Sequence, residues 1–304
     1  MADEKTDLHD RIDSGKPILV VEWAPPLGAD PGPVEDAAKR FAGKVHALGV
    51  SDNRDRVGMS ALAAAVLVKE AGVEPILHVV TRDRNRIALV SDYLGAQALG
   101  LRNVFCTSGS HQTLGHARAA KNVFDVDSIQ LLRTYTNLAT DGRVVGEAGM
   151  DGCGPVCLGA AASPFADPVE LQLVRLAKKV AAGAHFLITD PVFDLERFDP
   201  WWKAVTDRGL HERVAILAGI HLLTGAEAAK AYADRRPNPM VPDALLQRVA
   251  SAGDKTAQRA AGIEIARETV DRLSGMTGLR GLAIRADRDE DALELIEKAG
   301  LGTE

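Results

Sequence analysis

The stretch best suited to proton chemistry is Val20-Val-Glu-Trp-Ala-Pro-Pro26, in which one carboxylate sits among apolar residues. Ile18, Leu19, Val20 and Val21 read as a strand covered on both faces. Glu22 follows at its carboxyl end, and Pro25 with Pro26 stops the strand, because proline has no N–H for the ladder. A carboxyl so flanked is expected to be desolvated, with its pKa raised, which makes Glu22 a candidate proton donor near neutral pH. A structural carboxylate paired with a base at the edge of the core gives the same pattern. Perturbed acids mark functional sites only statistically, so both readings stand.

Further polar side chains fall at the ends of other apolar runs. These are Asp52 and Asn53, His78 and Arg82, Ser108 to His111, Ser163 and Asp167, Asp190, His221, and Arg285 with Asp287. His78 lies inside Ile-Leu-His-Val-Val, where a histidine is more often a hydrogen-bonded core residue than a catalyst. Arg82-Asp-Arg-Asn-Arg86 opens a helix and reads either as a solvated helix end or as an anion site. Gln172, Arg175 and Lys179 share one face of a helix, which turns either to solvent or to a cofactor phosphate. Cys153 and Cys157 lack two further ligands at a recognised spacing, so no metal is expected, and the three cysteines make no disulfide framework.

The elements that position these residues are short apolar strands alternating with helices. Strands are expected at 18–22, 49–53, 74–80, 103–107, 156–161, 185–189, 214–218 and 281–284. Helices are expected at 34–48, 60–71, 84–99, 125–138 with Asp125 as cap, 168–182, 195–209, 224–233, 242–252, 255–273 and 290–299. The helices 224–233 and 242–252 are joined by Arg235-Arg-Pro-Asn-Pro239. Alternation of this kind implies parallel pairing with right-handed crossovers. A single (β/α)8 TIM barrel over residues 1–304 fits, with extra helices between strands seven and eight and a loosely packed segment at 1–15. The competing doubly wound sheet lacks a Gly-x-Gly-x-x-Gly or Walker-type loop. In a barrel the polar residues just named share one rim, which favours an enzyme or ligand-binding site over a scaffold.

The chain has 304 residues, 46% hydrophobic and 26% charged, with a net charge of −6, which argues against nucleic acid as a main partner. Its acidic amino terminus lacks a signal-peptide core, and no apolar run approaches a membrane span. A cytoplasmic protein is expected.

Taken in order, several stretches resemble the methylenetetrahydrofolate reductase family over nearly the whole chain. They are Val20-Val-Glu-Trp-Ala-Pro-Pro26, His78-Val-Val-Thr-Arg-Asp-Arg-Asn-Arg86, Asp92-Tyr-Leu-Gly-Ala-Gln-Ala-Leu-Gly-Leu-Arg-Asn-Val104 and Phe124-Asp-Val-Asp-Ser128. They continue with Leu158-Gly-Ala-Ala-Ala-Ser-Pro-Phe-Ala-Asp-Pro168, Lys178-Lys-Val-Ala-Ala-Gly-Ala184, Ile188-Thr-Asp-Pro-Val-Phe-Asp194, and Ala252-Gly-Asp-Lys255 with Gly262-Ile-Glu-Ile-Ala266. The likeness is to the short prokaryotic forms. It implies a barrel that binds FAD, takes electrons from NADH, NADPH or a partner protein, and reduces 5,10-methylenetetrahydrofolate to 5-methyltetrahydrofolate. It also implies a homo- or hetero-oligomer, in some forms with an electron-transfer subunit, and a place in one-carbon metabolism and methionine biosynthesis.

Residue by residue, the resemblance makes Glu22 the acid that protonates a folate nitrogen. His78 matches a flavin-contacting histidine, Ser108 and Gly109 the loop along the flavin ring, and Lys179 a lysine near the cofactor phosphates. Ser163 and Asp167 stand where some members have a tyrosine and a histidine beside the cofactor; Gln172 and Arg175 share the face of Lys179. Arg285 competes with Arg288 for folate contacts. Three departures stand out: Ser110 replaces an aspartate near the flavin ring, Asp190 a folate-holding glutamine, and His221 a leucine in Gly-Ile-Leu-Pro. These leave an alternative, a barrel without flavin that binds a folate or another one-carbon carrier as a methyl-transfer or partner-dependent subunit.

Overall fold

Ile18, Val20 and Glu22 alternate with Leu19, Val21 and Trp23 along β1 (Ile18–Trp23), and the two sets part company in the packing. Ile18 and Val20 join Ala47, Ile76, Phe105, Cys157, Phe186, Leu217 and Ala283 in a core inside the barrel, while Leu19 and Val21 belong to the larger core beneath the helices. The structure is a computed structural model that describes residues 5–54, 56–144, 149–235 and 241–303.

The other strands are β2 (Ala47–Val50), β3 (Pro75–Val80), β4 (Asn103–Thr107), β5 (Cys157–Ala162), β6 (Phe186–Pro191), β7 (Ala215–His221) and β8 (Gly281–Arg285). Each pairs in parallel with the next, and β8 returns to β1, closing the barrel. The expected TIM barrel is therefore present. Helices α2 (Gly32–Phe41), α3 (Ala61–Glu70), α4 (Arg86–Ala98), α5 (Ser128–Asp141), α6 (Val169–Ala181), α7 (Leu195–Asp207) and α11 (Asp289–Lys298) lie between and after the strands. The extra helices between β7 and β8 are α8 (Ala226–Asp234), α9 (Asp243–Ala250) and α10 (Lys255–Ser274). They add a small core of their own, with Leu223, Val241, Val249 and Ile265. The connector expected at 235–239 lies, from 236 onward, outside the described residues.

Three expectations need correction. The segment 1–15 is not loose where it is described: α1 (Asp7–Asp13) is capped by Thr6 and places Leu8, 1% exposed, into the core inside the barrel. The helix expected over 34–48 ends at Phe41, because Ala47–Val50 is taken into the sheet. The cap of α5 is Asp127, in a capping box with Gln130, whereas Asp125 holds the Arg86 guanidinium at 2.9 Å.

Candidate active site

At the carboxyl ends of the strands the inward row stops being apolar. Glu22 ends the inward row of β1 and is flanked in register by Gly49 of β2 and Arg285 of β8. A Cβ on Gly49 would stand 2.9 Å from His78 Nε2, so glycine there makes room for the His78 ring beside the acid. These groups line a cavity of about 290 Å³ at the mouth of the barrel.

Glu22 is buried, at 6% exposure. Burial alone would raise its pKa, as its sequence neighbours suggest, but Arg285, Arg54 and His78 outweigh burial and bring it down to about 2. Arg285 Nη2 donates directly to Glu22 Oε2, and Arg54 Nη1 lies 3.6 Å from Oε1. The expected raised pKa is thus reversed: in this arrangement Glu22 is a carboxylate at neutral pH. The His78 ring is buried and packs on Phe105 with ring centroids 4.6 Å apart. Desolvation lowers its pKa to about 4 against the pull of Glu22, with Arg54 and Arg285 adding to the fall. His78 is therefore neutral, and its 4.0 Å approach to Glu22 is not an ion pair at pH 7.

Of the other residues singled out by sequence, Ser108, Gly109, Ser110, Ser163, Gln172, Arg175, Lys179, Asp190 and Arg285 also line the cavity. Gly109 has φ +78, and a Cβ on it would meet Val80 Cγ1 at 2.7 Å, so the turn of this loop requires glycine. Asp167 does not join them; it is exposed, outside the cavity. Lys179 lines the wall but donates to Ala161 O at 2.5 Å, and burial lowers its pKa to about 8, with Arg175 pushing the same way. Its ammonium is anchored on the barrel wall rather than extended from the helix. Ser163, Gln172 and Arg175 make a wall of hydroxyl, amide and guanidinium, a donor set that fits the diphosphate of a dinucleotide.

The Arg82-Asp-Arg-Asn-Arg86 cluster is an anchor for loops, not an anion site. Arg82 donates to Asn53 O, Ser110 O and Asp83; Arg84 pairs with Asp52 and Asp92; Arg86 pairs with Asp125. Sequence reasoning missed Arg54, which follows β2 and faces Glu22, along with Thr107, Ser128 and Thr189 on the cavity wall. A charged residue four places beyond the end of β2 was the available signal for Arg54. His221 lies instead in a side cavity of about 160 Å³, stacked on Tyr232 with centroids 4.2 Å apart; Arg285 lines both cavities. Among the described residues no helix is long and apolar enough to cross a membrane.

Comparison with known proteins agrees with this architecture. Residues 7–300 match the profile of a family described as methylenetetrahydrofolate reductase. A curated relative, the probable methylenetetrahydrofolate reductase (NADPH) of Caenorhabditis elegans, is 26% identical over 182 residues, which is 60% of this chain. The chain covers only 25% of that relative's length. Among solved structures, a Clostridium thermocellum protein that binds two copies of 5-methyl-5,6,7,8-tetrahydrofolic acid superposes with a TM-score of 0.64 at 12% identity, over 96% of this chain and 97% of the other. An F420-dependent secondary alcohol dehydrogenase in complex with an F420–acetone adduct gives 0.53 at 12% identity, over 93% and 98%. At these identities the two structures share the fold with this chain.

Proposed function

Because the chain belongs to the methylenetetrahydrofolate reductase family, we propose that it is an oxidoreductase that reduces 5,10-methylenetetrahydrofolate to 5-methyltetrahydrofolate. The observation that carries this reading is Glu22: a buried carboxylate at the end of β1, on the wall of the central cavity, between two guanidinium groups. At about 290 Å³ the cavity is near the lower end of ligand pockets, roughly 300–1,000 Å³.

In this reading the pterin lies against the inward row. The Asp190 carboxylate accepts N–H bonds from its amino-pyrimidine edge, a task that needs acceptors only. Arg285 pairs with a carboxylate of the glutamate tail. Glu22, once protonated, gives its proton to the folate nitrogen whose release opens the five-membered ring. Ser163, Gln172 and Arg175 would hold the diphosphate of FAD, and Ser108, Gly109 and Ser110 would run along its ring beside His78. When bound, the flavin supplies the hydride, replenished by NADH, NADPH or a partner protein.

The test is direct. The purified protein should show a flavin absorption spectrum, lose it anaerobically on addition of a donor, and form 5-methyltetrahydrofolate. Absence of that product with NADH, NADPH and chemically reduced flavin alike overturns the reading. The Lys179 anchor on Ala161 and the outward position of Asp167 favour a second reading, a flavin-free barrel that binds a folate or another one-carbon carrier. A colourless protein that takes up no flavin yet binds 5-methyltetrahydrofolate decides for it.

A further inference from the structure

Arg285 occupies the boundary between the central cavity and the side cavity and lines both. Its Nη2 donates to Glu22 Oε2, while Nε and Nη1 are buried with no hydrogen-bond partner among the described residues. A guanidinium carries five N–H donors, so this one is bound on one side and short of acceptors on the other. Buried donors in that condition are costly, so a second carboxylate that reaches them gains charge-assisted hydrogen bonds and shares the positive charge that now falls on Glu22 alone.

The surroundings of Glu22 leave Arg285 the principal brake on its protonation. Facing it are Arg54, from the segment after β2; His78, on β3; and Arg285, on β8. Asp52, the nearby acid at the end of β2, is engaged by Arg84 and by Val80 N. His78 is neutral. Arg54 lies farther off than Arg285, and its side chain is 36% exposed, so solvent screens it more.

We infer that Arg285 is a positioning residue that couples ligand binding to proton loading: a carboxylate on the ligand tail draws Arg285 off Glu22, and Glu22 then takes up a proton from solvent. The inference rests on the folate reading above and adds the order of events to it. Glu22 is charged while Arg285 holds it and becomes an acid only when a tailed substrate is in place. The proton taken from solvent is the one later passed to the folate nitrogen, so charge and protons balance over the turnover. Burial, which on its own pushes the Glu22 pKa up, becomes the dominant influence once the nearest guanidinium has left.

Calorimetry of 5-methyltetrahydrofolate binding to the whole protein, repeated at pH 7 in buffers of different ionisation enthalpy, tests this. About one proton should be taken up per folate bound. Glu22→Gln should bind the folate with that uptake lost. The tail-less 5-methyltetrahydropterin should bind the unaltered protein without uptake, since it brings no carboxylate to Arg285. Folate binding with no proton uptake overturns the coupling and leaves the folate reading standing, as does an uptake unchanged in Glu22→Gln. Failure to bind any reduced folate overturns both.

Discussion

Two glutamates at opposite ends of the barrel contrast most clearly. At the floor, Glu74 precedes β3 and accepts from Leu8 N at 3.1 Å and Asn103 Nδ2 at 2.7 Å, neutral donors only. Burial therefore prevails and its pKa rises. At the mouth, Glu22 meets Arg285 and Arg54, and its pKa falls to about 2. The histidines divide in the same way. At the floor, His46 Nδ1 accepts from Leu19 N and His185 Nδ1 from Leu158 N. At the mouth, His78 Nε2 has no hydrogen-bond partner among the described residues, a lack that His46 Nε2 shares at the floor, but the His78 ring lies beside the charged Glu22 and Arg54. The floor holds its buried acid with neutral backbone and amide donors. The mouth gathers charges that could be redistributed by a ligand. Unsatisfied or movable charge is where local rules of stability give way to function.

The largest effect should separate the two acids. Glu22→Gln keeps the shape of the side chain and one acceptor oxygen but has no acidic proton to give, so turnover should fall by about 10²–10⁴-fold, the usual contribution of a positioned acid. Glu74→Gln should leave kcat within about twofold, because its amide keeps an acceptor for Leu8 and Asn103 far from the reacting atoms. The rate of 5-methyltetrahydrofolate formation measures both. Equal losses in the two variants would erase the contrast.

Next comes the floor itself. Leu8→Ala opens a cavity beneath the barrel core at a residue only 1% exposed, and should cost about 2–5 kcal/mol in urea unfolding. Activity per folded molecule should be unchanged. A drop in kcat at temperatures where the variant is folded would mean that the plug reaches the mouth.

Acid titration separates Glu22 from the buried histidines by pH. His185 has its pKa lowered to about 4 by burial, and His9 and His46 are shifted the same way. The unfolded chain binds these protons first, so stability is full above pH 6.5 and declines as the pH falls toward 4, by about 3 kcal/mol for His185. His78 at the mouth shares this window. Glu22 acts lower: its depressed pKa contributes stability above 4.5 that is lost as the pH falls through about 2. Urea unfolding from pH 7 to 3 should show both slopes, and Glu22→Gln should remove only the lower one.

The difference between the ends also explains what could be read from the sequence. The strands were legible because a closed parallel barrel buries both faces of each, and apolar runs of that kind stand out between helices. Boundaries slipped where the signal was shared: Val45 to Val50 continues the apolar spacing of α2, although Ala47–Val50 pairs with β1 and β3. Most of the cavity was legible because the side chains at the ends of the inward rows are polar. The charge state of Glu22 was not, since its deciding partner, Arg285, lies 263 residues away in the chain and is brought alongside only by the pairing of β8 with β1. For the same reason the acidic first residues looked loose: Leu8 finds its contacts on strands far along the sequence. The face carrying Lys179 could turn to solvent or to a phosphate by its spacing alone; Lys179 lines the wall, and no spacing reveals that its ammonium is tied to Ala161 O.

The smallest effect compares two helix caps. Thr6 caps α1 at the floor: its hydroxyl oxygen accepts from His9 N at 3.1 Å and its proton goes to Asn103 Oδ1 at 2.7 Å. Asp127 caps α5 at the mouth, accepting from Ile129 N and Gln130 N. Either residue changed to alanine should cost about 1 kcal/mol, the usual worth of a side-chain cap. Their consequences for binding should differ. Ser128, the residue after Asp127, lines the cavity, and its N–H donates to Ser108 Oγ at 3.3 Å. Asp127→Ala should therefore loosen the loop that carries Ser108, Gly109 and Ser110 and, if the proposed flavin binds there, raise its Kd several-fold at 25 °C. Thr6→Ala should leave that Kd unchanged, and Thr6→Ser should restore the lost stability because it keeps both hydrogen bonds. A cofactor Kd that moves equally in both alanine variants would show that the floor and the mouth are mechanically one unit.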